Sequence, residues 1–329
     1  MFAPETFAAA LLMMITSTIC WGSWANTYKG TKNYRFELFY WDYAAGIVLI
    51  SLLLALTLGS LRDDPSSFLT NIRTADGSNI GLALAAGVIF NVANLLLVAG
   101  IELAGLAVAF PVSIGIALVV GVVLSYAVQP KGDPVLLALG VLCAVAAVIM
   151  DGKAYGSRGP GRAGVSRKGI VICIVSGLLM GSFAPFVTRA LTAGNALGPY
   201  SVAVLFTLGA LLCCFPANTY LMRRPLIGEP VGFSGFFAAP AHYHLLGLVG
   251  GFIWGLGTVF NFVAASLTGV AISYAIGQAA PMVAALWGVL VWKEFAGAGR
   301  RAKVYLGLMF LFYALALLFV SYAYTAGQN

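Results

Sequence analysis

Apolar residues run through this chain in long unbroken stretches, separated by short segments rich in glycine, proline and charge. A stretch such as "LGVLCAVAAVIM" (139–150) is apolar on every side. It has neither the alternation of a membrane barrel strand nor the one polar face of a surface helix. A helix needs about 20 apolar residues to cross the hydrocarbon of a bilayer. Ten stretches fit that requirement, centred in Phe7–Tyr28, Phe39–Ser60, Ile80–Ala99, Leu103–Tyr126, Val135–Met150, Gly169–Ala190, Tyr200–Met222, Leu245–Ala265, Val270–Trp292 and Val304–Ala323. The pattern predicts an all-α membrane protein with ten transmembrane helices.

The pattern also repeats. Residues 15–25, "ITSTICWGSWA", align without gaps on residues 174–184, "IVSGLLMGSFA", with five of eleven positions identical. Gly87–Tyr126 aligns on Gly251–Leu290 at a constant offset of 164, and "IELAGLAVAF" against "ASLTGVAISY" keeps size and polarity. The repeating unit holds five spans. Five is odd, so the second copy is expected to enter the membrane from the opposite side, as in inverted-repeat transporters whose sites lie near the midplane. The expected organisation is a first repeat over 1–151, a cytoplasmic linker over 152–168 and a second, inverted repeat over 169–329. The joining stretch "DGKAYGSRGPGRAGVSRK" is basic and glycine-rich and lacks GxxxxGK[ST], so it offers no P-loop.

Composition agrees with the pattern. Of 329 residues, 61% are hydrophobic and 9% charged, against about 25% charged in a soluble domain. The first stretch has Glu5 as its only preceding charge and no basic leader region, so it is expected to remain as the first span and not to be a cleaved signal. Five cysteines all fall inside spans, which argues for packing and against a disulfide framework.

Charge adds orientation. Fourteen of the 18 Lys and Arg residues fall in the loops around Lys29–Arg35, Lys153–Lys168, Arg223/Arg224 and Lys293–Lys303, while Arg62, Arg73, Lys131 and Arg189 fall on the other side. The positive-inside rule places the first set in the cytoplasm of an inner-membrane protein, with both termini outside. The net charge of +7 is this bias, and nucleic acid is not an expected partner.

Ionised residues avoid the middles of the spans, where each would cost several kcal/mol. Asp42 is read near the start of the second span, Glu102 in a tight turn between the third and fourth, Asp151 and Glu294 at span ends. A site at mid-depth must then use amides, hydroxyls, indoles and backbone dipoles, which suits a neutral or zwitterionic solute. Helical spacing puts Gly87, Asn91, Asn94 and Val98 on one face of the third span, and Trp254, Thr258 and Asn261 on one face of the eighth. Interhelical hydrogen bonding alone would account for any one of these amides. Two such faces related by the repeat favour a binding site. Pro111 and Pro281 each remove a backbone donor within a span, beside Ser113 and Gln278. "ELFYWDYAAG" reads as an interfacial aromatic belt around Phe39, Tyr40, Trp41 and Tyr43. Within it, Asp42 serves either as a helix-start carboxylate or as a proton site. His242 and His244 are read as preceding the eighth span with no acidic or thiol ligand nearby, so no metal is expected. The sequence has no HExxH or GxSxG.

These motifs resemble a known family. "YWDY" at the start of the second span, "GVIFNVANLLLVAGIELAGLAVAFPVSIGIALVVGVVLSY", "MRRPLIGEP" and "LWGVLVWKEFAGAGRRAKVYLGLMF" are similar to the ureide permease family of the drug/metabolite transporter superfamily, in the same order along most of the chain. Bacterial sugar-uptake permeases of that superfamily look similar at a lower level. The resemblance implies the superfamily's ten-helix, two-repeat fold and secondary active uptake coupled to protons. In plants the family carries allantoin and related oxo-heterocycles such as uracil and xanthine. Its Tyr-x-Asp-Tyr pattern falls on Tyr40–Tyr43, its Gly-Asn-rich third helix on Gly87–Asn94, and its Trp-Gly-Val-Leu…Glu block on Trp287–Glu294. The plant proteins have a longer central loop with a nucleotide-motif-like stretch, which this chain lacks.

The expected function is a non-enzymatic permease for a small neutral hydrogen-bonding solute, working by alternating access without a cofactor or metal. The binding walls would be Trp21, Trp24, Asn26, Asn91, Asn94, Trp254, Thr258, Asn261 and Gln278, with Asp42 or Glu102 in proton coupling. Its partners would be the solute, the bilayer and coupled protons. Alternatives are a sugar or other metabolite permease of the same fold, and a membrane scaffold or sensor.

Overall fold

The computed structural model describes residues 1–32, 34–61, 67–157, 166–226 and 228–327, without the side chains of residues 102, 106, 107 and 110. Arg62, Arg158 and Arg162, counted in the charge bias, lie outside the described residues, as does the Glu102 side chain. The described residues contain helices and no strand. Ten helical stretches among them are long and apolar enough to cross a membrane, matching the ten read from the sequence, and most run a few residues further at each end.

The first span is α1 (Phe7–Ser23) continued by α2 (Ala25–Lys29), and the second is α3 (Phe36–Leu56). A short α4 (Phe68–Thr74) precedes α5 (Gly77–Ala104), α6 (Leu106–Val128), α7 (Pro134–Gly156), α8 (Arg167–Thr192) and α9 (Pro199–Arg223). A five-residue α10 (Phe233–Phe237) leads into α11 (Ala241–Thr268). The ninth span is two pieces, α12 (Val270–Gly277) and α13 (Ala280–Leu290), and α14 (Arg300–Ala326) is the last. Helix starts follow local chemistry. Thr6 Oγ1 accepts the Ala9 N–H at 3.3 Å, and Asp133 Oδ1 accepts the Leu136 N–H at 2.8 Å just before Pro134.

The offset of 164 recurs in the backbone. Both α5 and α11 are 28 residues long, and each ends at a single glycine, Gly105 with φ 79° and Gly269 with φ 83°. With ψ near 154° this region of backbone space is open to glycine almost alone, so the matched segments share a one-residue turn. Glu102 therefore belongs to the last turn of α5 and not to the connection. The two prolines behave differently. Pro111 sits inside a continuous α6. Pro281 stands in the first turn of α13, where its missing N–H is tolerated, and the span breaks at Gln278–Ala279.

The chain forms two compact units. The first holds Met1–Val92 and Phe186–Leu267. Helices approach closely in it because glycines meet backbone: Gly87 and Gly209 lie where α5 and α9 touch, and Gly46 and Gly251 where α3 and α11 touch. Small residues at crossings are how helices associate in lipid, where apolar area alone gives no preference for protein over acyl chains. The second unit holds Ala93–Pro185 and Thr268–Asn329. Within it Ser113 donates to the Cys173 carbonyl at 2.9 Å, Ser176 to the Ala93 carbonyl at 2.8 Å, and Gly177 packs on the Ser113 carbonyl. Ser113, read as lying beside the Pro111 break, is thus a cross-link between α6 and α8.

Candidate functional site

In the first unit, aromatic rings from four helices gather around Trp254 of α11. Phe90 of α5 stacks on it at 4.7 Å, Trp21 of α1 at 5.9 Å, and Phe206 of α9 at 6.5 Å between ring centroids. Tyr43 of α3 lies at 6.4 Å, and Trp24 packs on Tyr43 at 4.6 Å. Trp254 and Thr258 are one turn apart, so they present to the same side of α11. Trp21 Nε1 donates to Thr258 Oγ1 at 3.1 Å, and that hydroxyl donates to the Trp254 carbonyl at 3.1 Å. Gly257 permits this approach, since a methyl there would stand 2.8 Å from Cys20 Cβ.

The polar groups of this cluster are incompletely matched. Asn91 is fully buried, and its Oδ1 accepts the Tyr40 hydroxyl at 2.8 Å and the Cys214 thiol at 3.5 Å. Asn91 Nδ2, Tyr43 Oη and Ser17 Oγ are buried with no hydrogen-bond partner among the described residues. Tyr43 packs on Trp254 directly, Asn91 is joined to it through Tyr40, whose ring lies 5.4 Å from that of Tyr43, and Ser17 is one turn before Trp21 on α1. An unmatched buried donor costs about 1–3 kcal/mol, and native structures keep few of them. Asn91 Nδ2, Tyr43 Oη and Ser17 Oγ are three of eleven such buried atoms among the described residues.

The structure thus brings Trp21, Trp24, Asn91, Trp254 and Thr258 together. Asn261 is buried one turn further along α11. The Asn26 amide donates to the Ser23 carbonyl at 2.8 Å across the α1–α2 junction. Asn94 and Gln278 are buried in the second unit, Gln278 at the break of the ninth span.

Three expectations are corrected here. Phe39, Tyr40 and Tyr43 are not an interfacial belt: they are at most 1% exposed. Their i, i+3, i+4 spacing was the signal that they share an inward face, and it adds Tyr40 and Tyr43 to the candidate residues that the belt reading missed. His242 and His244 do not precede the eighth span; they lie in the first turn of α11. Asp42 lies in the second turn of α3, not at its start, and pairs with His244, Nδ1 to Oδ2, at 2.7 Å. No sequence spacing could have joined residues so far apart.

The sequence model of ureide permeases matches residues 39–160 and 165–321. The chain belongs to the ureide permease family. This family member is 22% identical to ureide permease 1 of Arabidopsis thaliana, over 96% of its own length and 97% of the relative's. It is 21% identical to ureide permease 2 of the same plant, covering 98% and 99%. It is also 23% identical to "Probable glucose uptake protein GlcU" of Bacillus cereus, over 70% of this chain and 76% of that protein. A crystal structure of a protein aligns with a TM-score of 0.63 at 17% identity, covering 94% of this chain and 97% of that one, a likeness of fold alone. The ureide permease member is a multi-pass membrane transporter of small solutes.

Proposed function

We propose that this permease takes up a small, flat, neutral solute of the ureide or nucleobase type by alternating access between two inverted repeats, coupled to protons. The observation that carries the solute class is the Trp254 stack with its three unmatched buried groups, Asn91 Nδ2, Tyr43 Oη and Ser17 Oγ. Indole faces would stack on the ring, and the amide and hydroxyls would meet its carbonyl and N–H groups. Among the described residues the buried polar side chains are hydroxyls and amides, with Asp151 the one carboxylate, which supports a solute without net charge. Asn261 is assigned to the same task, and Trp24 and Asn26 to its rim; Asn94 and Gln278 of the second unit are candidates by sequence. The loops rich in Lys and Arg are assigned to the cytoplasm, with both termini outside.

Likeness to a glucose uptake protein supports a second reading, because a sugar face also stacks on indole. A thermal-shift panel of purified protein with allantoin, uracil, xanthine, glucose and ribose separates the two. A solute at 100 times its Kd should stabilise the fold by about 2.7 kcal/mol. Stabilisation by sugars alone would replace the heterocycle reading. In uptake assays with the solute so found, Asn94→Ala and Gln278→Ala should each lower transport about tenfold, the loss of roughly one hydrogen bond to the solute. Unchanged uptake in both removes these two residues from the site. Vesicles that accumulate none of the five solutes would favour a scaffold or sensor.

A further inference from the structure

Asp42 of α3 and His244 of α11 are 202 positions apart in sequence, yet His244 Nδ1 stands 2.7 Å from Asp42 Oδ2. Two bare lone pairs do not approach so closely, so one proton already lies between them. With that proton alone the pair carries one negative charge, a neutral imidazole beside a carboxylate. A second proton makes the pair neutral overall. The Asp42 and His244 side chains keep 13% and 25% exposure.

The surroundings tie the two helices together at this point. Gly247 of α11 lies against Asp42, where any larger side chain would strike Cβ. Phe236 of α10 sets its ring edge-on to His244 at 4.6 Å, and Phe233 packs on Trp41 at 5.4 Å, so α10 lies against both α3 and α11. Tyr34, from the segment before α3, feels the carboxylate. Burial first, and the Asp42 charge second, push its phenol up to about 12, so it stays neutral. The other ionisable side chains nearby are Tyr243, whose ring is 5.2 Å from Tyr34, the exposed His242, and the Arg35–Glu37 ion pair at 2.6 Å. Lys32 offers its carbonyl to the Tyr243 hydroxyl at 3.1 Å. Helix α10 brings no ionisable side chain.

We propose that the Asp42–His244 pair is the proton-binding site of the transport cycle; this rests on the uptake reading above. One proton passes from water on one side of the membrane to the pair and later leaves to water on the other, and no other bond is made or broken. The loaded, neutral pair can be withdrawn from water at less cost than the unloaded pair with its net charge, because burying an uncompensated charge is costly.

The test uses the full chain with Asp42→Asn and His244→Gln. Proteoliposomes report accumulation of radiolabelled allantoin driven by a pH gradient, and allantoin counterflow with no gradient. Infrared titration of the purified proteins reports carboxyl protonation without any solute. Both variants should go on exchanging allantoin while losing gradient-driven accumulation by about tenfold or more. A carboxyl titration should appear in the wild type, vanish in Asp42→Asn and fall at a different pH in His244→Gln. Wild-type accumulation in either variant, or the same titration in all three proteins, overturns the proposal. If the titrations behave as expected but the wild type carries no allantoin, the pair stands and the solute reading fails.

Discussion

Tyr43→Phe is expected to make the protein more stable and less active at once. The phenylalanine keeps the ring contacts with Trp24 at 4.6 Å and Trp254 at 6.4 Å. It removes a buried hydroxyl that has no partner among the described residues. Relieving such a group is worth about 1 kcal/mol, or about 2 °C in the unfolding midpoint of a protein this size. If the hydroxyl serves the solute, uptake should fall about tenfold for the lost hydrogen bond. Differential scanning fluorimetry and initial uptake rates on the same preparation read both effects. A raised midpoint with unchanged uptake would make Tyr43 a packing defect, and the Trp254 stack would lose its strongest claim to be the site.

Gly87→Ala should do the opposite and damage both properties. A methyl at Gly87 would fall on the Phe206 carbonyl and 2.9 Å from the Ala210 nitrogen, both of them backbone atoms that cannot rotate away. Helices α5 and α9 would have to part, and they carry Asn91 and Phe206 into the cluster. Overpacking of this kind costs roughly 3 kcal/mol. The expected result is a broadened size-exclusion peak in detergent, a lower midpoint and loss of uptake. Gly81→Ala, in the same helix with nothing within 4 Å of the added methyl, is the control. It should be neutral or stabilising by up to about 1 kcal/mol through helix propensity. Equal stability of the two variants would mean that the α5–α9 contact is not as close as described.

Part of the candidate site's composition was legible without coordinates. The helical spacing of Trp254 and Thr258, and the paucity of charge in the spans, already pointed to an amide, hydroxyl and indole site. Asn91 emerged from the same reasoning and is fully buried. The "YWDY" segment was misread because aromatic residues near a span end suit the headgroup region as well as an interior. His244 was passed over because its partner lies on another helix.

The sequence by itself determined the ten spans and their helical state, while the one-residue turns at Gly105 and Gly269 came from the backbone. Hydrophobic length and backbone satisfaction in lipid are local requirements, met by neighbouring residues. Only the tertiary structure decided that Trp21 meets Thr258 across 237 positions, that Tyr40 holds Asn91, and that Asp42 meets His244. In water a helix shows which side faces the protein, because its outer side is polar. In a bilayer both sides are apolar, so the pattern that reveals a span is silent about what the span touches.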